Sequence, residues 1–387
     1  MRKNKVSISR KEKEDKIKSF SDLEKEVQTK GLCGQCGGCV SFCSSGKLDA
    51  LEIDEEGNPR YLNEDNCLKC GICYLICPRI KALDGELQEK LEWKPPIGIY
   101  RGVTSARTTD KEIHAVCTDG GVVTSLLVYM LDHNLINGAI VSKKTGPFSR
   151  QAAVVSSRDD LIAAAGSQFS KSTHLEELGG KYTTYSPTIS AVKSLEKSHL
   201  LGTAMVGTPC QIHTVRKMQI LGVVPSHIIK YTLGLFCMEN FSFDTMVKER
   251  LEKKLNLKVE NVTKLNIKDD LIITLDDGRI LHVPFEEIDQ VARPACLVCP
   301  DFANEYADIS LGGLGSRDGN TTVLIRTAVG ERIYSEALRL GYIEETLPKG
   351  SETLRTEKTK MMAKIFSFSK RKKLRAEENL KIKKHKK

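Results

Sequence analysis

Apolar stretches alternate with glycine-, proline- and polar-rich breaks from about residue 100 onward, which predicts strands and helices in turn. Short runs of apolar residues predict strands at 115–118, 139–141, 204–207 and 228–236. Longer runs with helical spacing predict helices at 122–133, 211–218 and 243–255. Asp277 and Gly278 form a two-residue turn that predicts a hairpin over 271–283. Together these elements predict an α/β or α+β domain with a mixed sheet.

The chain has 387 residues, which is too long for one ordinary domain. Pro95 and Pro96 mark a helix-breaking joint, and the pattern changes beyond it. The cysteine-rich part before this joint predicts a separate small unit. We therefore predict a helical extension rich in charge at 1–30, a cysteine-rich unit at 31–92, a linker at 93–99, a larger domain at 100–350 and a basic, disordered tail at 351–387.

Composition is that of a globular protein, with 40% hydrophobic and 28% charged residues. No apolar run is long enough to span a membrane, and no apolar signal segment follows Met1, so we expect a cytoplasmic protein. The net charge of +9 comes from the segment 358–387, which carries 13 basic and two acidic residues. The remainder is nearly neutral, which argues against a nucleic-acid-binding core. The tail is either a solubilising segment or a peripheral contact with the inner face of the cell membrane or an acidic partner.

Eight of the 13 cysteines fall in two copies of one spacing, in which three cysteines two residues apart are followed by a fourth. In two-cluster ferredoxins of the bacterial type, the fourth cysteine of each run binds the cluster of the other run. This rule assigns one 4Fe–4S cluster to Cys33, Cys36, Cys39 and Cys77, and a second to Cys67, Cys70, Cys73 and Cys43. Structural zinc favours separated cysteine pairs instead. The runs differ in one respect, since Ser44 stands where the second run has Pro78. A small hairpin around Gly57 and Asn58 is predicted between them.

Five cysteines remain outside these runs. Cys210 opens a predicted helix after a strand, and Cys237 ends another strand. Cys296 and Cys299 form a chelating pair beside a proline. These four predict a third 4Fe–4S cluster, with buried structural cysteines or a zinc site as the alternatives. Cys117 is left without a predicted role.

Five segments resemble the family of coenzyme F420 hydrogenase and dehydrogenase beta subunits: 119–124 (DGGVVT), 207–211 (GTPCQ), 234–240 (GLFCMEN), 293–302 (RPACLVCPDF) and 307–313 (ADISLGG). The resemblance runs from about Gly31 to Glu345. It is strongest to the F420-oxidising subunit of the membrane F420 dehydrogenase complex, in which a two-cluster ferredoxin domain precedes a flavoprotein domain. It implies an N-terminal 2×(4Fe–4S) ferredoxin-like domain followed by a larger mixed-sheet domain with FAD and one further cluster on Cys210, Cys237, Cys296 and Cys299.

Candidate FAD contacts lie where a glycine pair meets a helix start, because unpaired backbone amides there suit a pyrophosphate. They are Gly120, Gly121, Val122, Thr124 and Ser125. An ordinary glycine turn is the alternative, and the resemblance favours the flavin. A second candidate loop, Gly166, Ser167 and Gln168, competes with a simple helix C-cap. No dinucleotide-binding G-x-G-x-x-G follows a strand, so a Rossmann nicotinamide site is not supported.

The resemblance implies an enzyme that oxidises reduced coenzyme F420 by hydride transfer to FAD. Single electrons would then pass through three clusters, first the Cys210 cluster and then the ferredoxin pair, to a partner such as a membrane dehydrogenase complex, a hydrogenase or a similar reductase. Hydride transfer between stacked cofactors requires no catalytic side chain. Two alternatives stay open: a ferredoxin-dependent flavoprotein that reduces an organic substrate, and a flavin-free cluster relay.

Overall fold

A computed structural model describes residues 17–45, 48–54, 57–146, 149–166, 171–172, 188–195, 198–241, 251–288 and 292–385. The cysteine-rich unit contains helices α1 to α4 and a two-stranded hairpin: α1 (Phe20–Leu23), α2 (Gly38–Ser45), β1 (Leu51–Ile53), β2 (Pro59–Tyr61), α3 (Ile72–Leu75) and α4 (Asp84–Lys90). A π-helical turn, Glu24–Gln28, continues α1. Strands β1 and β2 pair antiparallel, which confirms the hairpin predicted around Gly57. The core of this unit consists of apolar side chains with two of the cysteines, Cys43 and Cys73.

The larger domain contains twelve described strands: β3 (Gly102–Thr108), β4 (Gly138–Gly146), β5 (Ser149–Val155), β6 (Lys171–Ser172), β7 (Thr203–Gly207), β8 (Ile229–Leu235), β9 (Val262–Ile267), β10 (Leu271–Leu275), β11 (Ile280–Val283), β12 (Ile309–Gly312), β13 (Thr321–Ile325) and β14 (Ile343–Glu345). Nine of them form one mixed sheet in the order β14-β3-β13-β12-β8-β7-β4-β5-β6. Its centre, β12-β8-β7-β4, is parallel. Strands β9 to β11 form a separate antiparallel sheet.

The described helices of this domain are α5 (Lys111–Val116), α6 (Val122–Asp132), α7 (Arg158–Ala163), α8 (Val192–Leu195), α9 (Pro209–Ile220), α10 (Phe285–Ile288), α11 (Ala328–Arg339) and α12 (Ser351–His385). Helices α6 and α11 share one hydrophobic core with the large sheet. Helices α8 and α9 share another core, which includes Ile76 and Leu87 of the cysteine-rich unit. The two units therefore pack through apolar contacts beside α9.

Most predicted elements of the larger domain are confirmed, including the helices at α6 and α9, the strands at β4, β7 and β8, and the β10–β11 hairpin. The strand predicted at 115–118 is wrong, because helix α5 occupies 111–116. Asp110 caps this helix by accepting hydrogen bonds from the amides of Glu112 and Ile113, and Ile113 is buried. Most of the helix predicted at 243–255 lies outside the described residues.

The prediction of a disordered tail is also wrong. Residues 351–385 form α12, whose buried positions recur every three or four residues from Met362 to Ile365, Ser369, Lys372 and Ala376, with Met361 buried beside the first. Met361, Met362 and Ile365 join the core built around β9, β10 and β11. Apolar burial along one side therefore orders a segment whose composition is strongly basic.

The predicted linker is fixed to the larger domain. The indole nitrogen of Trp93 donates to Glu305 Oε2 at 2.7 Å. The buried guanidinium of Arg326 donates to the carbonyls of Ile97 and Ile99 at 2.8 and 3.0 Å. These bonds hold the segment between the two units against the sheet.

Candidate functional site

The first group of thiols combines residues from both cysteine runs. Burial raises the pKa of Cys39 well above its usual value, and neighbouring Cys36, Cys33, Cys73 and Cys77 raise it further. Burial, together with Cys36 and Cys33, raises the pKa of Cys77 to about 12. Cys77 thus lies near Cys33 and Cys36 of the other run, and the assignment of Cys33, Cys36, Cys39 and Cys77 to one cluster stays a prediction.

The second group lies around a small cavity lined by Cys43, Cys67, Cys70, Cys73 and apolar side chains that include Phe20 and Leu51. Burial raises the pKa of Cys73 to about 12, with Cys70 and Cys67 adding to the effect. Cys70 is exposed, whereas Cys43 and Cys73 are buried. Of the two thiol groups in the cysteine-rich unit, only the second thus contains an exposed cysteine.

The third group comes from three segments of the larger domain. Cys210 is in the first turn of α9, Cys237 follows β8, and Cys296 and Cys299 begin and follow a short 3-10 turn. Burial raises the pKa of Cys210 to about 12, and Cys36, Cys299 and Cys296 contribute. Burial also raises the pKa of Cys237, whose charged neighbours include Cys296, Cys210 and Cys299.

Neighbouring cysteines thus occur within each of the three predicted ligand sets, and four sulfur donors suit a 4Fe–4S cluster. Among the described residues, no three or more His, Cys, Asp or Glu side chains are arranged to hold a single metal ion. The cluster assignments stay predictions. Cys117 stands apart from the three groups, and its thiol donates to the carbonyl of Asp119 at 2.8 Å.

Sequence reasoning missed the cations that surround these thiols. Arg79 lies near Cys77, Cys210, Cys296 and Cys299. Lys217 on α9 is fully buried and donates to the carbonyls of Cys77 and Ile80. Lys372 on α12 is 1% exposed and donates to the carbonyl of Cys237. A buried cation close to a group of cysteines counters the negative charge that thiolates and clusters carry. Helical spacing on α12 was the one sequence pattern that could have revealed Lys372.

A cavity of about 380 Å³ lies at the carboxyl ends of the parallel strands. The strand ends that line it include Gly207, Leu235 and Gly312, together with Cys237 of the third thiol group. Ligands of open α/β sheets characteristically bind at this edge. The third thiol group therefore borders the cavity directly.

Four of the predicted FAD residues line this cavity: Gly121, Val122, Thr124 and Gly166. Gly121 has a φ of +72°, and no side chain caps the start of α6. Gly120 and Ser125 lie behind the cavity wall: the amide of Gly120 donates to Thr321 Oγ1 at 3.0 Å, and Ser125 Oγ donates to Thr108 Oγ1 at 2.6 Å. Ser167 and Gln168 lie outside the described residues.

Sequence reasoning also missed the polar residues of the cavity wall. Burial raises the pKa of Asp119, although Lys268 and Asn266 oppose this effect. Asn266 Nδ2 donates to Asp119 Oδ1 at 2.6 Å, and Lys268 Nζ lies 3.8 Å from the same oxygen. Lys268 also pairs with Asp318 at 2.7 Å. The cavity thus offers an acid, an amide and an ammonium group beside a helix start.

None of the helices in the described part of the chain combines the length and the apolar character needed to cross a membrane.

Two family models match the larger domain, and both carry the description "Coenzyme F420 hydrogenase/dehydrogenase, beta subunit". The model of the N-terminal part matches residues 103–193, and the model of the C-terminal part matches residues 201–350. The chain belongs to this family, which comprises oxidoreductase subunits. The cysteine-rich unit lies before the matched residues.

Individual relatives agree with this assignment. The beta subunit of the coenzyme F420 hydrogenase of Methanosarcina barkeri is 34% identical over 272 residues, covering 67% of this chain and 88% of that protein. One subunit of the F(420)H(2) dehydrogenase of Methanosarcina mazei is 27% identical over 318 residues, covering 80% and 83% of the two chains. A chain of the F420-reducing [NiFe] hydrogenase complex of Methanosarcina barkeri superimposes with a TM-score of 0.57 and 31% identity, covering 70% of this chain and 92% of that one.

Proposed function

We propose that this chain oxidises reduced coenzyme F420 by hydride transfer to FAD and passes the two electrons singly through three 4Fe–4S clusters to a partner complex. One observation carries the proposal: Cys237 belongs to the third thiol group and also lines the cavity at the carboxyl edge of the sheet. A flavin in that cavity would lie beside a cluster. The names of the relatives, which are coenzyme F420 hydrogenase and F(420)H(2) dehydrogenase subunits, support coenzyme F420 as the electron donor.

The residues that would hold FAD are Gly121, Val122, Thr124 and Gly166, which line the cavity. When bound, the flavin supplies the conversion between a hydride and single electrons. The protein's part is to hold it. The first-turn amides of α6 have no intrahelical acceptor and no side-chain cap, so they suit a phosphate, and Lys268 adds positive charge to the same cavity.

Proximity between the thiol groups gives the proposed order of the clusters. Cys36 of the first group is close to Cys210 of the third, and Cys73 of the second group is close to Cys39 of the first. Electrons would therefore travel from the cavity to the third cluster, then to the first and finally to the second. The exposed Cys70 makes the second cluster the natural contact for a partner.

The test uses anaerobically purified, cluster-loaded protein. Reduced coenzyme F420, NADH and reduced ferredoxin are mixed separately with it while flavin absorbance and cluster signals are followed. We expect reduced F420 to bleach the flavin and then the clusters. In the variant Cys210→Ala, F420 should still bleach the flavin while the clusters of the cysteine-rich unit stay oxidised on the turnover timescale. Cys117→Ala is the matched control for iron content, which it should leave unchanged.

The outcomes separate the alternatives. Absence of acid-released FAD from chains that retain their clusters would replace the proposal with a flavin-free relay. Bleaching by ferredoxin but not by reduced F420 would indicate a ferredoxin-dependent reductase. Rapid reduction of the ferredoxin-type clusters in Cys210→Ala would show that the third cluster is not on the path.

A further inference from the structure

The interface between the cysteine-rich unit and the larger domain contains an exchange of two arginines. Arg79 follows Cys77 by two residues, and its guanidinium donates to the carbonyls of Ala295 and Val298 at 2.7 and 3.1 Å. These carbonyls flank Cys296. Each bond crosses from the cysteine-rich unit to the larger domain, so Arg79 fixes the backbone that presents the third thiol group.

Arg293 makes the reciprocal connection from the larger domain. It is 2% exposed and donates to the carbonyl of Gly34 at 2.9 Å and to Gln35 Oε1 at 2.8 Å. Both acceptors lie in the loop between Cys33 and Cys36 of the first thiol group. Each unit thus holds the backbone beside the other unit's thiols.

Arg79 has a feature that backbone anchoring does not explain. Its Nε atom is buried and has no hydrogen-bond partner within the described part of the chain. Burial lowers the pKa of the guanidinium, whereas neighbouring Cys299, Cys210, Cys296 and Cys77, which belong to two different thiol groups, raise it. A buried N–H without an acceptor is costly, and an arginine beside thiolates can donate to sulfur.

Arg326 shows what a purely structural buried arginine looks like in the same fold. Its Nε donates to Ser310 Oγ at 2.6 Å, and its other nitrogens donate to the carbonyls of Ile97, Ile99 and Ala303. All three nitrogens of Arg326 therefore have protein acceptors. Arg79 differs because its Nε donor has no protein acceptor among the described residues and cysteines are its charged neighbours.

We propose that Arg79 acts on both the first and the third cluster. It is a positioning residue that keeps the two cluster sites next to each other, and its positive charge favours the reduced form of both clusters. The inference rests on the proposed function, since it requires both clusters to be present. Reduction adds negative charge to a cluster, and a nearby fixed cation or a hydrogen bond to its sulfurs stabilises that charge. The second cluster site, which contains Cys70, lies beyond the first and should feel Arg79 much less.

The experiment is an anaerobic redox titration of the cluster-loaded full chain, followed by electron paramagnetic resonance. Arg79→Gln removes the charge but keeps a planar donor, whereas Arg79→Lys keeps the charge and loses the two-pronged geometry. Arg101→Gln is the control, because Arg101 forms an exposed pair with Glu331 at 2.7 Å. Cluster signals are assigned by comparison with Cys210→Ala and Cys70→Ser.

In Arg79→Gln we expect the reduced-to-oxidised ratio of the first and third clusters to fall at least tenfold at a fixed potential, which corresponds to about 59 mV for one electron. The second cluster should titrate as in the wild type. Arg79→Lys should retain most of the wild-type ratio, because it keeps the positive charge. If Arg79→Gln does not fold, Arg79→Lys serves as the test variant, and a tenfold fall of the ratio in it would contradict the charge effect.

Unchanged titration of both clusters in Arg79→Gln would overturn the inference. An equal shift in all three clusters would overturn it too, since that pattern indicates a general loss of structure. If the wild type lacks the first or third cluster signal, the proposed function itself fails, and that result is visible before any variant is made.

Discussion

Asp84 on α4 joins the cysteine-rich unit to α9, the helix that begins at Pro209 and carries Cys210 in its first turn. Its Oδ1 atom lies 2.9 Å from His213 Nε2 and 2.8 Å from Lys217 Nζ. Lys217 is fully buried, and the Asp84 side chain is 23% exposed. We predict that Asp84→Asn weakens the packing of the two units, because it leaves the buried ammonium group of Lys217 without its carboxylate.

The expected loss of stability in Asp84→Asn follows from the lowered pKa of the Asp84 carboxyl group. Burial alone would raise the pKa of Asp84, but hydrogen bonds and charge from His213 and Lys217 outweigh it and lower the pKa from 3.8 to about 2. At ~1.36 kcal/mol for each pKa unit, the folded protein stabilises the carboxylate by about 2 kcal/mol. A carboxyl group with a lowered pKa stabilises the folded protein at pH values above its unfolded pKa near 3.8. This stabilisation is lost as the pH falls through the folded pKa of about 2. Burial lowers the pKa of His213, so its ring is mostly neutral at pH 7–8 and the pair with Lys217 carries the effect there. The loss in Asp84→Asn should therefore be on the order of 2 kcal/mol in that range.

The chain has a single tryptophan, Trp93, which reports on this interface because it is bonded to Glu305. Its fluorescence during anaerobic urea denaturation of the cluster-loaded protein gives the free energy of unfolding. Asp269→Asn is the matched control, since Asp269 pairs with Lys364 at the surface and should change stability by under about 1 kcal/mol. Equal unfolding free energies for the two variants would refute the reasoning.

Three further predictions concern the cavity and α12. Gly121→Ala should reduce the acid-released FAD per chain, because a φ of +72° and a Cβ only 2.9 Å from Ile113 Cγ2 strain the cavity wall; unchanged FAD content would contradict this. Ile365→Ala should cost about 2–4 kcal/mol in urea unfolding, against little for the half-exposed Leu374→Ala. If α12 contacts an anionic surface, replacing exposed lysines with glutamine should reduce co-sedimentation with anionic vesicles at low salt. The expected loss of binding free energy is about 1 kcal/mol per lysine. Unchanged co-sedimentation would exclude that contact. The positions are Lys370, Lys373 and Lys381.

Local patterns predicted much of the larger domain because its elements carry strong signals of their own. Helix α6 is a largely apolar run after a glycine pair, interrupted by Thr124 and Ser125, and the β10–β11 hairpin has an Asp-Gly turn. The cysteine runs stood out for a similar reason, since cluster ligands follow a fixed spacing, and their assignment to clusters stays a prediction. What spacing could not reveal is the order of strands in the large sheet, which depends on contacts between distant segments.

Helix α12 shows how composition can mislead. Thirteen basic residues after position 357 predict a solvated tail when they are counted together. Position by position, however, Met361, Ile365, Ser369, Lys372 and Ala376 follow a helical repeat and face the protein. The repeat is difficult to see in the sequence because two of its members, Ser369 and Lys372, are polar. The buried ammonium group of Lys372 donates a hydrogen bond to the carbonyl of Cys237.

The interleaving of the two cysteine runs gives the first thiol group a central position. Cys77 comes from the second run but lies with Cys33 and Cys36, and Lys217 of the larger domain holds its carbonyl. The same loop continues to Arg79, which reaches the backbone beside Cys296. Because one short loop contributes to the first group, to the domain interface and to the surroundings of the third group, a loosening of that interface would separate the proposed clusters before it disturbed either unit. Electron transfer between the two units should therefore be more sensitive to interface substitutions than the cluster content of each.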